Sequence, residues 1–347
     1  MKAIVLSAFG GVDNLQLLDW PKPEPKQDEV RIQIKAISFN PVDYKMRQGR
    51  FGGNLPMILG RDLSGVVDAV GEEVTDFSVG DEVYAYLGGP RSNGSYAEYV
   101  CVPTDFVGRK PLNLSFEQAA ALPLVGLTAY QSIMDKARVQ AYESVFIAGG
   151  SGGVGTMAVQ LAHYVGAKPI LTTAGSDQSV RYLTQELGIS PAHILRYRGL
   201  SLDQLKAKVL EMNGGRFVGA AFDFVGGLMK QLCCEIIDYD GRVVSIVEEP
   251  EDFHLNIWNG RKSPLFIKSA TFHFELLSAR AMFGGPETWK IYRRELNTLT
   301  ELIEMGSIKP PAITHLGEFS VESVRRAHTL LEEGHVQGKL VLSVPFK

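Results

Sequence analysis

Residues 144–166 read SVFIAGGSGGVGTMAVQLAHYVG, and this stretch decides how the rest of the chain is read. Val145, Phe146, Ile147 and Ala148 form a continuous apolar run, the pattern of a parallel strand covered on both faces. Gly149, Gly150, Gly152, Gly153 and Gly155 follow at once. Val154, Ala158, Leu161, Ala162 and Val165 then recur at helical spacing. A strand, a glycine turn and a helix N-terminus together make a place for a bulky anion. The turn admits φ > 0 and close backbone approach, and the first helical turn offers unpaired N–H groups and a partial positive charge. A diphosphate is the natural guest.

Three motifs compete for these residues. Gly149, Gly152 and Gly155 fit G-x-x-G-x-x-G, a relative of the dinucleotide fingerprint. A triphosphate loop fails, because Gly155 is followed directly by Thr156 where that loop needs a lysine. Gly149-Gly150-Ser151-Gly152-Gly153 also fits G-x-S-x-G, the nucleophile elbow of hydrolases. Asp223 and His254 lie downstream as partners for Ser151, but no HGGG-type segment precedes the elbow.

Downstream of the loop, strand and helix signals alternate, with strands expected at 144–148, 168–172, 193–197, 218–224 and 242–247. Helices start at Ser176 and at Ser201, the latter with Gln204 completing a capping box. This alternation predicts a doubly wound parallel sheet. Upstream, the texture is β. Val30, Ile32, Ile34 and Ala36 alternate with Arg31, Gln33 and Lys35, the period of a half-buried strand. Further short strands, broken by Gly60, Gly71, Gly80 and Gly94, suggest a Greek-key barrel. A capping box at Ser115 and Gln118 opens a helix, with a turn expected around Pro123 to Gly126. After Pro264 the pattern predicts a strand over 266–274, a long helix over 287–305, another helix from Ser320 and a final strand over 339–344.

Composition sets the outer limits. The 35 Lys and Arg against 39 Asp and Glu leave a net charge of −4, so no basic excess points to nucleic acid. The first ten residues resemble a strand rather than a signal peptide or a membrane span. Three cysteines, two of them adjacent, make no disulfide framework, and a cytoplasmic location is expected.

A split β domain around an inserted dinucleotide domain resembles the medium-chain dehydrogenase/reductases, and within them the zinc-independent quinone oxidoreductases (the zeta-crystallin group). The marks are Asn40-Pro-Val-Asp43, Gly60-Arg-Asp-Leu-Ser-Gly65, Val79-Gly-Asp-Glu-Val83, Gly94-Ser-Tyr-Ala-Glu-Tyr99 and Ala120-Ala-Leu-Pro123. Gly126-Leu-Thr-Ala-Tyr130, the loop Gly149 to Gly155, Phe222-Asp-Phe-Val-Gly226 and Gly338-Lys339 continue the match in the same order. The resemblance implies an α/β fold in which a Rossmann doubly wound sheet, 124–270, is inserted into a GroES-like β-barrel catalytic domain, 1–123 and 271–347. Zinc alcohol dehydrogenases of that superfamily carry Cys at the position of Asn40 and Gly-His-Glu at Gly60-Arg61-Asp62. Neither ligand is present here, and no metal is expected.

The resemblance also implies roles for residues. The nucleotide would rest on Gly149, Ser151, Gly152, Gly153, Val154 and Gly155, with Thr128 and the strand end Ser245, Ile246 and Val247 near the carboxamide, and Lys339 also assigned to cofactor binding. At the end of the second strand of the inserted domain there is no acid to hold an NAD ribose. Ser176 and Tyr197 occupy positions that contact the 2′-phosphate of NADPH. The family's lysine is replaced by Ser179, with Arg181 or Arg198 as candidates to supply the missing charge. Asn40, Asp43, Tyr44 and Lys45 fall on the loop placed beside the nicotinamide ribose, where Asn40 would donate its amide N–H to substrate or cofactor. The family's tyrosine is Phe51 here, so Tyr44, Tyr84 or water would deliver the proton.

These readings converge on an NADPH-dependent, metal-free reductase of quinones or of the C=C of α,β-unsaturated carbonyls. Such acceptors are already electrophilic and need no Lewis acid. The departures at Phe51 and Ser179 leave a non-catalytic NADPH-binding or sensing protein as an alternative, and the Ser151 hydrolase stays open. A homodimer pairing the edge strand 266–274 is expected, with no nucleic-acid or membrane partner.

Overall fold

The computed structural model describes residues 1–89, 93–334 and 336–345. It divides into two compact units, Thr128–Leu276 and the pair of segments Met1–Leu127 with Leu277–Lys347. These bounds lie a few residues beyond the 123/124 and 270/271 divisions that the resemblance implies.

The unit Thr128–Leu276 is built on a six-stranded parallel sheet. Its strands run in the order Ile194–Arg196, Ile170–Ala174, Val145–Ala148, Val218–Asp223, Ile237–Ser245, Thr271–Phe274. Counted along the unit this is 3-2-1-4-5-6, the doubly wound order, which reverses direction at Val145–Ala148. Every residue of that strand is buried. Phe146 and Ala148 join Leu171, Leu205, Val209 and Leu232 in one apolar cluster, as a strand covered on both faces demands. Helices Gly153–Tyr164, Asp177–Gln185, Leu202–Met212 and Leu228–Glu235 intervene along the chain. Cys233 and Cys234 lie in the same core as free thiols, and burial pushes Cys234 up to about 12, which leaves it inert at neutral pH.

The other unit is largely antiparallel. Strand Glu29–Ser38 pairs with Asp62–Val70, Tyr99–Pro103 and the C-terminal strand Lys339–Ser343. In the last of these ladders Val341 faces Ser38, which sets Lys339 opposite Asn40. That register brings the far end of the chain to the Asn40 turn.

Three local expectations are corrected. Pro123 does not make a turn but begins a helix, Pro123–Tyr130, because a missing N–H costs nothing at the first helical position. The apolar stretch 266–274 is a strand only over Thr271–Phe274. Its front, Pro264–Ile267, is a helical turn capped by Ser263, whose hydroxyl accepts from the Phe266 N–H. The Ser-Pro start signal outweighs the β propensity of the residues after it. The short strand expected after Gly94 begins only at Tyr99, since Gly94, Ser95 and Tyr96 bond across to Ile58, Gly60 and Leu59. No helix among the described residues is long and apolar enough to cross a membrane.

Candidate active site

In the parallel-sheet unit the glycine loop sits where the strand order reverses, at the carboxyl end of Val145–Ala148, the usual binding place in open α/β sheets. Gly149 takes φ +82° and its N–H is held by Thr173 Oγ1 at 2.9 Å. A Cβ on Gly155 would stand 2.1 Å from the Gly149 carbonyl, so this position admits only glycine. A Cβ on Gly152 would come no closer than 3.4 Å to anything within reach. Helix Gly153–Tyr164 has no acid in its first turn and no side-chain cap, and Ser151, Gly152, Gly153 and Val154 are all partly exposed. The loop and the first helical turn are thus left open, with the polarity an anion would need.

Around the end of strand Ile170–Ala174 the candidate phosphate residues separate into two groups. A Cβ on Gly175 would lie 2.8 Å from Tyr197 Oη and 3.3 Å from Arg198 Nε, so both flank this bend. Ser176 caps helix Asp177–Gln185 by accepting from Ser179 N–H at 3.1 Å, and its hydroxyl meets that of Ser179 at 3.1 Å. Asp177, the acid that follows Ser176, is turned to Arg196 at 2.6 Å. Arg181 is exposed on the helix, and no contact joins it to this cluster among the described residues.

Ser245 is 1% exposed and donates to Asp223 Oδ2 at 2.7 Å. Asp223 Oδ1 accepts from Val225 and Gly226 N–H at 3.1 and 2.7 Å. Ile246 N–H bonds to Asp223 O, and the Val247 carbonyl accepts from Lys230 Nζ at 2.7 Å. This arrangement corrects the hydrolase reading: Asp223 Oδ1 is held by its own turn and Oδ2 by Ser245 of the neighbouring strand, and His254 is exposed on a loop, with no bond to Asp223 among the described residues. Thr128 is 4% exposed, and its carbonyl accepts from Ser132 Oγ at 2.7 Å.

The antiparallel unit holds the second group. Asn40 precedes helix Pro41–Arg47, and its N–H is received by Asp43 Oδ2 at 2.8 Å. The Asn40 side chain is 1% exposed, with Nδ2 donating to Asp62 Oδ2 at 2.8 Å and Oδ1 accepting from Lys339 Nζ at 2.5 Å. Lys339 Nζ also reaches the Phe39 carbonyl at 2.9 Å and Asp62 at 3.2 Å. Ser38 Oγ and the Leu124 N–H complete the donors around Asp62. Burial pulls the Lys339 ammonium below its usual value, while Asp62 beside it pulls the other way.

Two expectations change as a result. The ammonium of Lys339, assigned to cofactor binding from the resemblance, is spent here inside this knot. Asn40 does not present its amide to a ligand in this conformation; it locks the turn. Tyr44 and Lys45 of the same helix are partly exposed. Tyr84 is excluded as a proton donor, because its buried hydroxyl donates to Leu296 O at 2.6 Å and burial pushes its pKa up.

Burial also pushes the Asp43 carboxyl up to about 7, against the lowering pull of the Asn40 N–H and Arg61. Its folded pKa lies above its unfolded value of 3.8, so its contribution to stability is full below that value and is lost as pH rises through about 7. Asp43→Asn keeps an acceptor for Asn40. The variant is expected to lose this slope: wild-type melting temperature should fall relative to it between those two pH values and run parallel above them. Parallel curves throughout would refute the assignment.

Sequence comparison places these features among known proteins. Residues 26–112 match the alcohol dehydrogenase GroES-like domain, and residues 193–342 match a family described as zinc-binding dehydrogenase. A zinc-type alcohol dehydrogenase-like protein of Staphylococcus aureus is 33% identical over 93% of both chains. A chloroplastic NADPH-dependent alkenal/one oxidoreductase of Arabidopsis thaliana is 33% identical over 99% of this chain and 79% of its own. The quinone oxidoreductase of Coxiella burnetii superposes with a TM-score of 0.78 at 32% identity, covering 99% of each chain.

A zinc ion does not fit the residues present. Asp62 is the lone carboxylate among Asn40, Arg61 and Asp62, and it is already neutralised by Lys339. Arg61 donates to Leu87 O at 2.6 Å and contacts Met46 Sδ at 3.0 Å. Among the described residues, a divalent cation there would meet two cations and no imidazole or thiolate.

Proposed function

The chain belongs to the medium-chain dehydrogenase/reductase superfamily, and on that premise we propose that it is an NADPH-dependent reductase that passes hydride, without a metal, to a quinone or to the β-carbon of an α,β-unsaturated carbonyl. The observation that carries this reading is the bend at Gly175. An arginine and a tyrosine flank it, two serine hydroxyls follow it, and the neighbouring acid is paired away. That chemistry suits a ribose 2′-phosphate rather than a free 2′-hydroxyl. The named activities of the Arabidopsis and Coxiella relatives agree with it.

When bound, NADPH supplies the hydride. The chain's own part is to seat a diphosphate on the amides after Gly152, to hold the 2′-phosphate between Ser176, Tyr197 and Arg198, and to keep the Asn40 turn rigid. Tyr44 and Lys45 lie partly exposed on the helix behind that turn, Lys45 adding positive charge where an enolate oxygen develops. A donor set unsuited to zinc favours conjugated acceptors over simple ketones. Steady-state NADPH oxidation with quinones, enones and simple ketones tests the reading; turnover of simple alcohols or ketones alone would overturn it. Binding of NADPH with no turnover of any acceptor would favour a sensing protein instead.

Arg198→Ala is expected to weaken NADPH by roughly ten- to a hundredfold, the worth of one charge-assisted bond to phosphate, and to leave NADH binding unchanged. Equal losses for both nucleotides would remove Arg198 from the phosphate site. We also assign a homodimer to the sheet edge at Thr271–Phe274, where Phe274 is 71% exposed, and a cytoplasmic location to a chain whose three cysteines are all free and buried.

A further inference from the structure

Beneath the Asn40 turn lies a line of buried polar groups to which neither the glycine loop nor the proposed reaction gives a role: Arg47, His328 and Tyr96, each at most 2% exposed. Arg47 Nε donates to His328 Nδ1 at 3.3 Å, and His328 Nε2 meets Tyr96 Oη at 3.0 Å. A guanidinium nitrogen can only donate, so His328 Nδ1 must be the acceptor. The imidazole is held neutral, because burial and the adjacent Arg47 pull its pKa down to about 3. Its single proton therefore sits on Nε2 and is given to Tyr96. Tyr96 then has one proton of its own to donate.

A recipient is at hand. Asp43 Oδ2 is taken by Asn40 N–H, while Asp43 Oδ1, fully buried, has no hydrogen-bond partner among the described residues. Asp43 is close enough to Tyr96 that, after burial itself, it is the chief cause of the raised phenol pKa. We propose that Arg47, His328 and Tyr96 form a one-way hydrogen-bond relay that delivers the Tyr96 O–H to Asp43 Oδ1, making Tyr96 and His328 positioning residues for the Asn40 turn.

Two glycines make room for it. A Cβ on Gly60 would strike the Tyr96 ring at 2.6 Å and Ser95 Oγ at 2.2 Å, and one on Gly94 would strike the Leu59 carbonyl at 2.1 Å. The tags Gly60-Arg-Asp and Gly94-Ser-Tyr are thus two halves of one packing unit, which sets the Tyr96 ring 5.3 Å from Phe39 and 5.8 Å from His328. At its outer end Arg47 is anchored by the Gly10 carbonyl and by Glu332. The charged groups that face Asp43 from other elements are Arg61, Asp62 and Lys339. Tyr96 and the Asn40 N–H are the neutral donors beside it.

The consequence for turnover rests on the reductase reading, but the relay is measurable without substrate. In protein with ¹⁵N-labelled histidine, long-range proton–nitrogen correlation is expected to show His328 protonated on Nε2; protonation on Nδ1 would overturn the proposal. With ¹³C-labelled aspartate, Tyr96→Phe is expected to raise the Asp43 titration midpoint by roughly one pH unit, the effect of one lost donor to a carboxylate. An unmoved midpoint would equally overturn it. His328→Gln can accept from Arg47 and donate to Tyr96 and should keep the wild-type midpoint, whereas His328→Leu should behave as Tyr96→Phe. If the leucine variant does not fold, the wild-type tautomer and the Tyr96→Phe midpoint still decide. A protein that shows the relay yet oxidises no NADPH would fail the reductase reading alone.

Discussion

Lys339→Met is expected to cost about 3–5 kcal/mol of stability, the usual consequence of stripping one partner from a buried ion pair. Asp62 is fully buried and would keep Ser38, Asn40 and Leu124 as neutral donors but lose Lys339, the cation within bonding reach of it among the described residues. Asn40 Oδ1 and the Phe39 carbonyl would lose a donor at the same time. Against a total stability of about 5–15 kcal/mol for a typical domain, that is a large fraction. Chemical denaturation of Lys339→Met, Asp62→Leu and the double variant provides the check. Because the charged pair repays its own desolvation only in part, the double variant should be more stable than either single one. Additive losses would show that Lys339 and Asp62 are not a pair, and the Asn40 turn would need another anchor.

The second large effect is expected at the glycine loop. Gly155→Ala places a methyl carbon 2.1 Å from the Gly149 carbonyl, a contact the strand and helix can relieve only by moving apart. Overpacking of this kind costs about 1–3 kcal/mol, and nucleotide binding should fall with it because the amides of the first helical turn shift. Gly152→Ala separates the two effects. Its Cβ meets nothing closer than 3.4 Å, and Gly152 already has φ −79° and ψ 174°, which alanine adopts freely. Melting temperature should therefore stay near wild type while NADPH affinity drops tenfold or more, if a diphosphate lies against that residue. Retention of full affinity in Gly152→Ala would move the diphosphate away from the loop.

How much could be read before folding depended on the range of the interaction. The parallel sheet was legible because its signals are local: the apolar run 145–148, the glycines behind it, and capping boxes at Ser115 and Ser201 that all form as expected. The open glycine cradle followed from the same stretch, since backbone freedom and helix polarity belong to consecutive residues. Where local signals competed, as at Pro123 and Ser263-Pro264, the helix-start chemistry prevailed over the turn and strand readings.

The chemistry of the Asn40 turn was beyond that reach. Family motifs marked Asn40, Asp43 and Lys339 as important but assigned them to a ligand. Only the antiparallel register between Glu29–Ser38 and Lys339–Ser343, which joins residues some 300 positions apart, shows that Asn40 and Lys339 hold each other and Asp62. Tyr96 and His328 carried no role in the linear chain, because a tyrosine in a strand-like tag and a histidine on an amphipathic helix are ordinary. Their meaning comes from burial, which removes water as a partner and forces each donor to find an acceptor. Desolvation and long-range pairing are properties of the packed chain, and they decided which polar residues hold the frame and which stay partly exposed.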